Sequence, residues 1–185
     1  VNSSSSLCSS WAILCPSFIL PSFSILLMSF SMQVNSETLI LGEERDWTAY
    51  RADDSDKRTC FISSIPKTKK GDYKKENRGD VRVYVTHGPT VDITNEVYVK
   101  AGYDHKQQSS VQFVIDGRKK FSLFTLKDRA WAETPELDEK IVNAMKSGNK
   151  LVVHGVSSRE TKTEDTYSLF GFTKALKLID RACGR

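Results

Sequence analysis

An antiparallel β-sandwich, mainly β with one inserted helix and one C-terminal helix, is the architecture that these 185 residues predict. Three patterns carry that expectation. Apolar residues alternate with polar ones over short runs, the mark of strands with one buried face. Turn residues punctuate the runs every eight to twelve positions, as in sandwiches and barrels. Only two stretches switch to helical spacing.

The strands follow in order. Trp47-Thr-Ala-Tyr50 and Thr59-Cys-Phe-Ile-Ser63 are short and aromatic, the second stopped by Pro66. Lys67 to Arg78 is polar, lysine-rich and broken by Gly71, which reads as a surface loop or hairpin tip. Asp80 to Thr86 places Val81, Val83 and Val85 on one face, and Gly88-Pro89 ends it. Glu96-Val-Tyr-Val-Lys100 alternates again. Val111 to Ile115 and Lys120 to Phe124 flank Asp116-Gly117, the strongest short hairpin signal in the chain. Lys150 to Val156 and Thr163 to Leu169 form a last pair. The first helix is expected over Pro135–Ser147: Thr134 suits the N-cap, Pro135 the first helical position, and Gly148 the stop. Leu137, Ile141, Val142 and Met145 give its apolar stripe. The second spans Phe172 to Ala182, capped by Ser168 or Gly171. Trp131 reads as a core anchor beneath the first helix, with an exposed stacking platform as the alternative.

Charge divides the chain sharply. No Lys, Arg, Asp or Glu precedes Glu37. Residues 1–36 are an apolar leader interrupted by Pro16 and Pro21, expected to be a signal peptide cut near Ser36 or the product of a misplaced start. Residues 37–185 then form a single domain with no membrane span once the leader is removed. Cys8 and Cys15 fall in the leader; Cys60 and Cys183 remain. Two distant cysteines in an exported domain are expected to pair, closing a loop worth on the order of 4–5 kcal/mol. Two free thiols in a cytosolic protein are the alternative. No Cys or His spacing suits zinc, so no metal and no cofactor are expected.

Net charge is +4. That balance lacks the clustered basic face or reader motif of a nucleic-acid binder. Phosphate loops, dinucleotide fingerprints, nucleophile elbows and zincin motifs are all missing, so no catalytic residue is assigned and no enzyme is expected. His87, His105 and His154 read as structural or surface residues. The basic stretch Lys67, Lys69, Lys70, Tyr73, Lys74, Lys75 and Arg78 is the candidate binding surface, suited to anionic lipid, lipopolysaccharide or glycan, against the plainer reading of a solvated loop diluted by Asp72 and Glu76. Arg78-Gly-Asp80 spells an integrin tripeptide, but Asp80 already opens a strand.

Several blocks together resemble the invasion-associated locus B family. They are Cys60-Phe-Ile-Ser-Ser-Ile-Pro66, Asn77-Arg-Gly-Asp-Val81, Tyr84-Val-Thr-His87, Ala101-Gly-Tyr103, Phe121-Ser-Leu-Phe124, Asp128-Arg-Ala-Trp-Ala132 and Ala144-Met-Lys-Ser-Gly148. The closing blocks, Asp165-Thr-Tyr-Ser-Leu169, Gly171-Phe-Thr-Lys-Ala-Leu176 and Ala182-Cys183-Gly184, are the most specific. The resemblance covers about Trp47 to Gly184. It implies an exported bacterial envelope protein, periplasmic or secreted, with an immunoglobulin-like sandwich, and Cys60 and Cys183 match the family's cysteine positions. It brings no catalytic residues. The expected role is a non-catalytic domain that binds an envelope or host-surface component, with a link to host-cell invasion. The alternative is a periplasmic hydrolase with a loop-built site near His87 or His105.

Overall fold

A computed structural model describes residues 37–55 and 57–184; the expectations for the leader lie outside them. The strands are β1 (Glu37–Glu44), β2 (Trp47–Asp54), β3 (Lys57–Ser64), β4 (Thr68–Gly71), β5 (Arg82–Gly88), β6 (Ile93–Lys100), β7 (Ser110–Ile115), β8 (Lys119–Leu126), β9 (Arg129–Trp131), β10 (Lys150–Val156) and β11 (Lys162–Ser168). The helices are α1 (Pro135–Lys146), between β9 and β10, and α2 (Phe172–Ala182), after β11. The mainly β sandwich with an inserted and a C-terminal helix is thus the observed architecture.

All of these strands hydrogen-bond in one antiparallel order, β1-β2-β3-β5-β6-β9-β8-β7-β10-β11-β4. The two layers are joined because the three-residue β9 pairs with β6 on one side and β8 on the other. One apolar cluster takes residues from both halves: Ala49, Ile62, Val85 and Val97 from the first, Phe113, Leu123, Leu151 and Tyr167 from the second, all essentially inaccessible. The inner faces of the two halves therefore pack on each other, as the two-residue period requires.

Local chemistry explains the elements. Asp116 and Gly117 both adopt positive φ (49° and 70°), the mirror-image turn that matches strand twist, and they close the β7–β8 hairpin. The Thr134 side chain accepts a hydrogen bond from the Leu137 amide and caps α1. At the start of α2 the cap is Gly171, in the left-handed region with φ 91°. A Cβ at that position would overlap the carbonyl oxygen of Glu44, so glycine is required there twice over. Ser168 instead accepts from the Phe170 amide just upstream. Trp47 packs edge-on against Phe172, ring centroids 5.0 Å apart, and its indole N–H donates to the Ser168 carbonyl at 3.0 Å. That contact joins β2 to the end of β11.

Cys60 on β3 is disulfide-bonded to Cys183 at the end of α2, with Cα atoms 6.1 Å apart. The expected bridge is present, and it staples the terminal helix to the sheet. Three elements went unrecognised in the sequence. β1 is an edge strand with little periodicity and a register irregularity between Ile40 and Gly42. β4 lies inside the stretch expected to be a loop, paired with β11. The third, β9, holds Trp131, whose ring lies half-buried on the outer face of the sheet rather than under α1.

That outer face carries a continuous row of aromatic rings. Tyr50 stacks on Phe61 at 4.8 Å, Phe61 tilts toward Tyr84 at 6.1 Å, and Tyr84 stacks on Tyr98 at 4.5 Å. Tyr98 meets Trp131 at 6.2 Å, and Trp131 stacks with Phe124 at 5.8 Å. The ladder crosses β2, β3, β5, β6, β9 and β8 on neighbouring strands, where cross-strand ring pairs are favourable.

Candidate functional site

The lysine-rich excursion from Lys67 to Arg78 returns to the body of the protein through β4. Its pairing with β11 sets Lys69 opposite Asp165 and Lys70 opposite Glu164. Three of the basic side chains are engaged within the chain. Lys67 forms an ion pair with Asp46, and Lys70 Nζ lies 2.9 Å from Glu164 Oε1. Arg78 turns inward. Its side chain is 3% exposed, and two of its nitrogens donate to the two Asp165 oxygens, at 2.8 and 2.5 Å. The same guanidinium donates to the Tyr73 hydroxyl at 2.7 Å and, through Nε, to the Ala101 carbonyl at 3.0 Å. Its carbon sits 5.1 Å from the Tyr73 ring centre and 5.2 Å from that of Tyr103, so two aromatic faces hold it. The Arg78-Gly-Asp80 tripeptide therefore has its arginine in the interior.

This network is well satisfied. Tyr103 and Thr163 share a hydrogen bond of 2.6 Å. Burial works against the Arg78 charge, but the hydrogen bonds and field of Asp165 and Tyr73 outweigh it and leave the guanidinium more basic than usual. Burial pushes the Asp165 carboxyl above the ordinary aspartate range, against the pull of Arg78. The Tyr103 phenol is raised for the same reason of burial.

Above the network lies an open cleft of about 760 Å3. One wall is the excursion, with Asp72, Tyr73, Lys74 and Asn77. The other is the turn between β10 and β11, with Ser158, Arg159 and Thr161; Asp104 completes the rim. The lining is mostly hydroxyls, amides and charges of both signs. Lys69, Lys74 and Lys75 remain exposed beside it. Chemically, such a surface can hydrogen-bond a polyhydroxylated molecule and attract its anionic substituents. Lys74 and Arg159 face one cleft although 85 residues separate them, because β4 pairs with β11. Sequence reasoning identified Lys74 but missed Arg159, Ser158 and Thr161, since only that long-range pairing brings them together.

The histidines fall in three environments. His154 is exposed on β10, 3.9 Å from Glu164. His105 is buried beside Tyr103, with ring centroids 5.1 Å apart, and burial holds it below the ordinary histidine range. His87 is buried between β5 and α2: Nε2 lies 2.9 Å from Asp180 Oδ1, and Nδ1 accepts the Asn95 amide at 3.1 Å. With both nitrogens engaged this way, the pair ties α2 to β5 next to the disulfide. Among the described residues no cluster of three His, Cys, Asp or Glu side chains is arranged to hold a metal ion. Among them, too, no helix is long and apolar enough to cross a membrane.

The family profile described as Invasion associated locus B (IalB) protein matches residues 47–180. The chain belongs to the invasion-associated locus B family. The matched span starts at Trp47, the residue that joins β2 to β11, and ends at Asp180, the partner of His87. No curated protein and no solved structure matches the chain.

Proposed function

We propose that this member of the invasion-associated locus B family is an exported, non-catalytic binding domain of the bacterial envelope, periplasmic or secreted, that holds an anionic, hydroxyl-rich ligand in the cleft between the lysine excursion and the β10–β11 turn. The cleft carries the reading. Its floor is fixed by the Arg78–Asp165 pair, while Lys74 and Arg159 project from opposite walls among hydroxyl groups. Export is supported by the Cys60–Cys183 bridge, since disulfides persist in oxidising compartments. The family description, invasion associated, supports a link to host-cell invasion. A binding role rather than catalysis is supported by His87, whose carboxylate partner holds α2 rather than facing the cleft.

Lipopolysaccharide is the first probe, with neutral dextran as control. The wild-type protein is expected to retain lipopolysaccharide and not dextran. Lys69→Glu, Lys74→Glu and Lys75→Glu combined with Arg159→Ala should abolish retention while leaving the disulfide intact. Unchanged retention by this variant overturns the cleft assignment. Hydrolysis of any envelope glycan by the pure protein, lost in His87→Ala but not in the cleft variant, overturns the non-catalytic reading.

A further inference from the structure

The outer face of the sheet has a symmetry that nothing in the cleft uses. On β6, Glu96, Tyr98 and Lys100 point the same way, because side chains alternate along a strand. On neighbouring β9, Arg129 and Trp131 also face outward, and Glu133 follows two positions later. Register pairs Lys100 with Arg129 and Tyr98 with Trp131. β6, and β9 with the two residues that follow it, thus present cation, ring and carboxylate in the same order across the sheet. Arg82 extends the cationic row on β5, opposite Lys100. Glu96 and Glu133 line one depression with Phe124, Leu126 and Trp131, on the other side of the ladder.

The charges differ in how they are met within the chain, and Arg129 also lies over the Tyr98 ring at 5.6 Å. Arg82 lies 3.1 Å from Asp80, and Arg129 lies 4.0 Å from Asp128. Lys100 and Glu96 have no ion pair among the described residues. Glu96 is half-buried, and its carboxyl is pushed up by burial alone, with no cation to offset it. A half-buried carboxylate beside exposed Phe124 and Leu126 (48% and 60%) is a surface that water serves poorly.

We propose that this face binds a second copy of the chain about a two-fold axis running along the ring ladder, so that Tyr98 meets the partner's Tyr98 and Lys100 meets the partner's Glu96. The orientation follows from the charge order. An axis along the ladder inverts the strand direction of the second copy and sets each cationic row on an acidic one. An axis along the strands would set Lys100 on the partner's Lys100, which is repulsive. The arrangement is isologous and closed, so it stops at a dimer. Aligned packing of two twisted faces is compatible with strands running antiparallel across the interface. The patch spans six strands about 4.8 Å apart and three side-chain rows, or on the order of 500 Å2 from each copy, which places the dimer among small, reversible interfaces.

The test is sedimentation velocity of the oxidised full chain across micromolar concentrations. A concentration-dependent monomer–dimer equilibrium is expected. Lys100→Glu with Arg129→Glu, and separately Glu96→Lys with Glu133→Lys, should each weaken it about ten-fold or more. Mixing the two variants in equal amounts should restore a dimer, since at positions 96, 100, 129 and 133 one then presents carboxylates and the other cations. Monomer throughout, a dimer indifferent to both variants, or no recovery on mixing each overturns the proposal. Should a reversed variant fail to form the disulfide, Lys100→Gln and Glu96→Gln replace it: each should weaken the dimer several-fold, and an unchanged constant counts against the interface.

Discussion

The junction of α2 with β3 and the junction of the lysine excursion with β11 do the same task with opposite chemistry. Each ties together segments far apart in sequence. At the first, Cys60 and Cys183 are joined covalently across 123 positions, beside apolar Ile179 and Phe172. At the second, Arg78 and Asp165 are joined across 87 positions by hydrogen bonds and charge, between two tyrosine rings. The covalent tie acts largely by restricting the unfolded chain. The ionic tie has no such effect, and its strength depends on both partners remaining. A buried ion pair adds little over an apolar pair of similar size, yet losing one partner strands a buried charge.

The comparison breaks most severely at the disulfide. Replacing Cys60 and Cys183 by serine should lower stability by about 4–5 kcal/mol. Chemical denaturation of the oxidised and serine forms checks this, and a difference below about 1 kcal/mol would show that the packing of α2 suffices alone. Next comes Arg78→Met, expected to cost about 3 kcal/mol or more because Asp165 is left uncompensated. Arg78→Met with Asp165→Leu should recover most of that loss. If the double variant is as unstable as the single one, the pair contributes through its geometry with Tyr73 and Tyr103 rather than through charge balance.

A second carboxylate sharpens the contrast by being buried without a cation beside it. Asp138 on α1 accepts the Val97 amide at 2.8 Å, taking the place of the strand backbone that β9 no longer supplies there. Burial raises its carboxyl from 3.8 to about 6. A raised folded value means that the folded protein binds more protons than the unfolded chain over this interval. Its contribution is complete below 3.8 and is lost as pH rises through about 6. Asp138→Asn, which keeps the acceptor, should therefore gain about 1–2 kcal/mol at neutral pH and nothing near pH 3. Melting curves at the two pH values decide it, and a gain that is equal at both would reject burial of charge as the cause. The smallest effect is at the cap of α1: Thr134→Ala should cost about 1 kcal/mol by urea denaturation, at any pH.

The two junctions also differ in how far the sequence disclosed them. Two distant cysteines outside the apolar leader have few roles, so the pairing of Cys60 and Cys183 was expected from the sequence, with two free thiols as the alternative. Arg78 looked like one more cation in a basic run, because nothing local distinguishes an arginine that turns inward. Its partner sits on β11, and the excursion reaches β11 only through β4, whose Thr-Lys-Lys-Gly sequence has no apolar face to reveal it. Trp131 was misplaced for a related reason. Flanked by alanines and followed by a helix, it resembled a core residue, whereas its neighbours Tyr98 and Phe124 come from strands paired at long range. Strands with strict alternation, the Asp116-Gly117 turn and both helices were legible because their signals are local. The cleft was half legible, through Lys74 and Tyr73 but not Arg159.

The position of Cys183 has a further consequence for biogenesis. It lies beyond every strand of the described residues, so the ribosome must deliver β1 to β11 before the Cys60–Cys183 bond can form. The bond cannot guide early folding; it can only lock a chain whose sheet has already assembled. A polypeptide interrupted anywhere in β10, β11 or α2 would lack Cys183 and leave Cys60 without its partner. The Cys60 sulfhydryl would then distinguish it from the finished molecule.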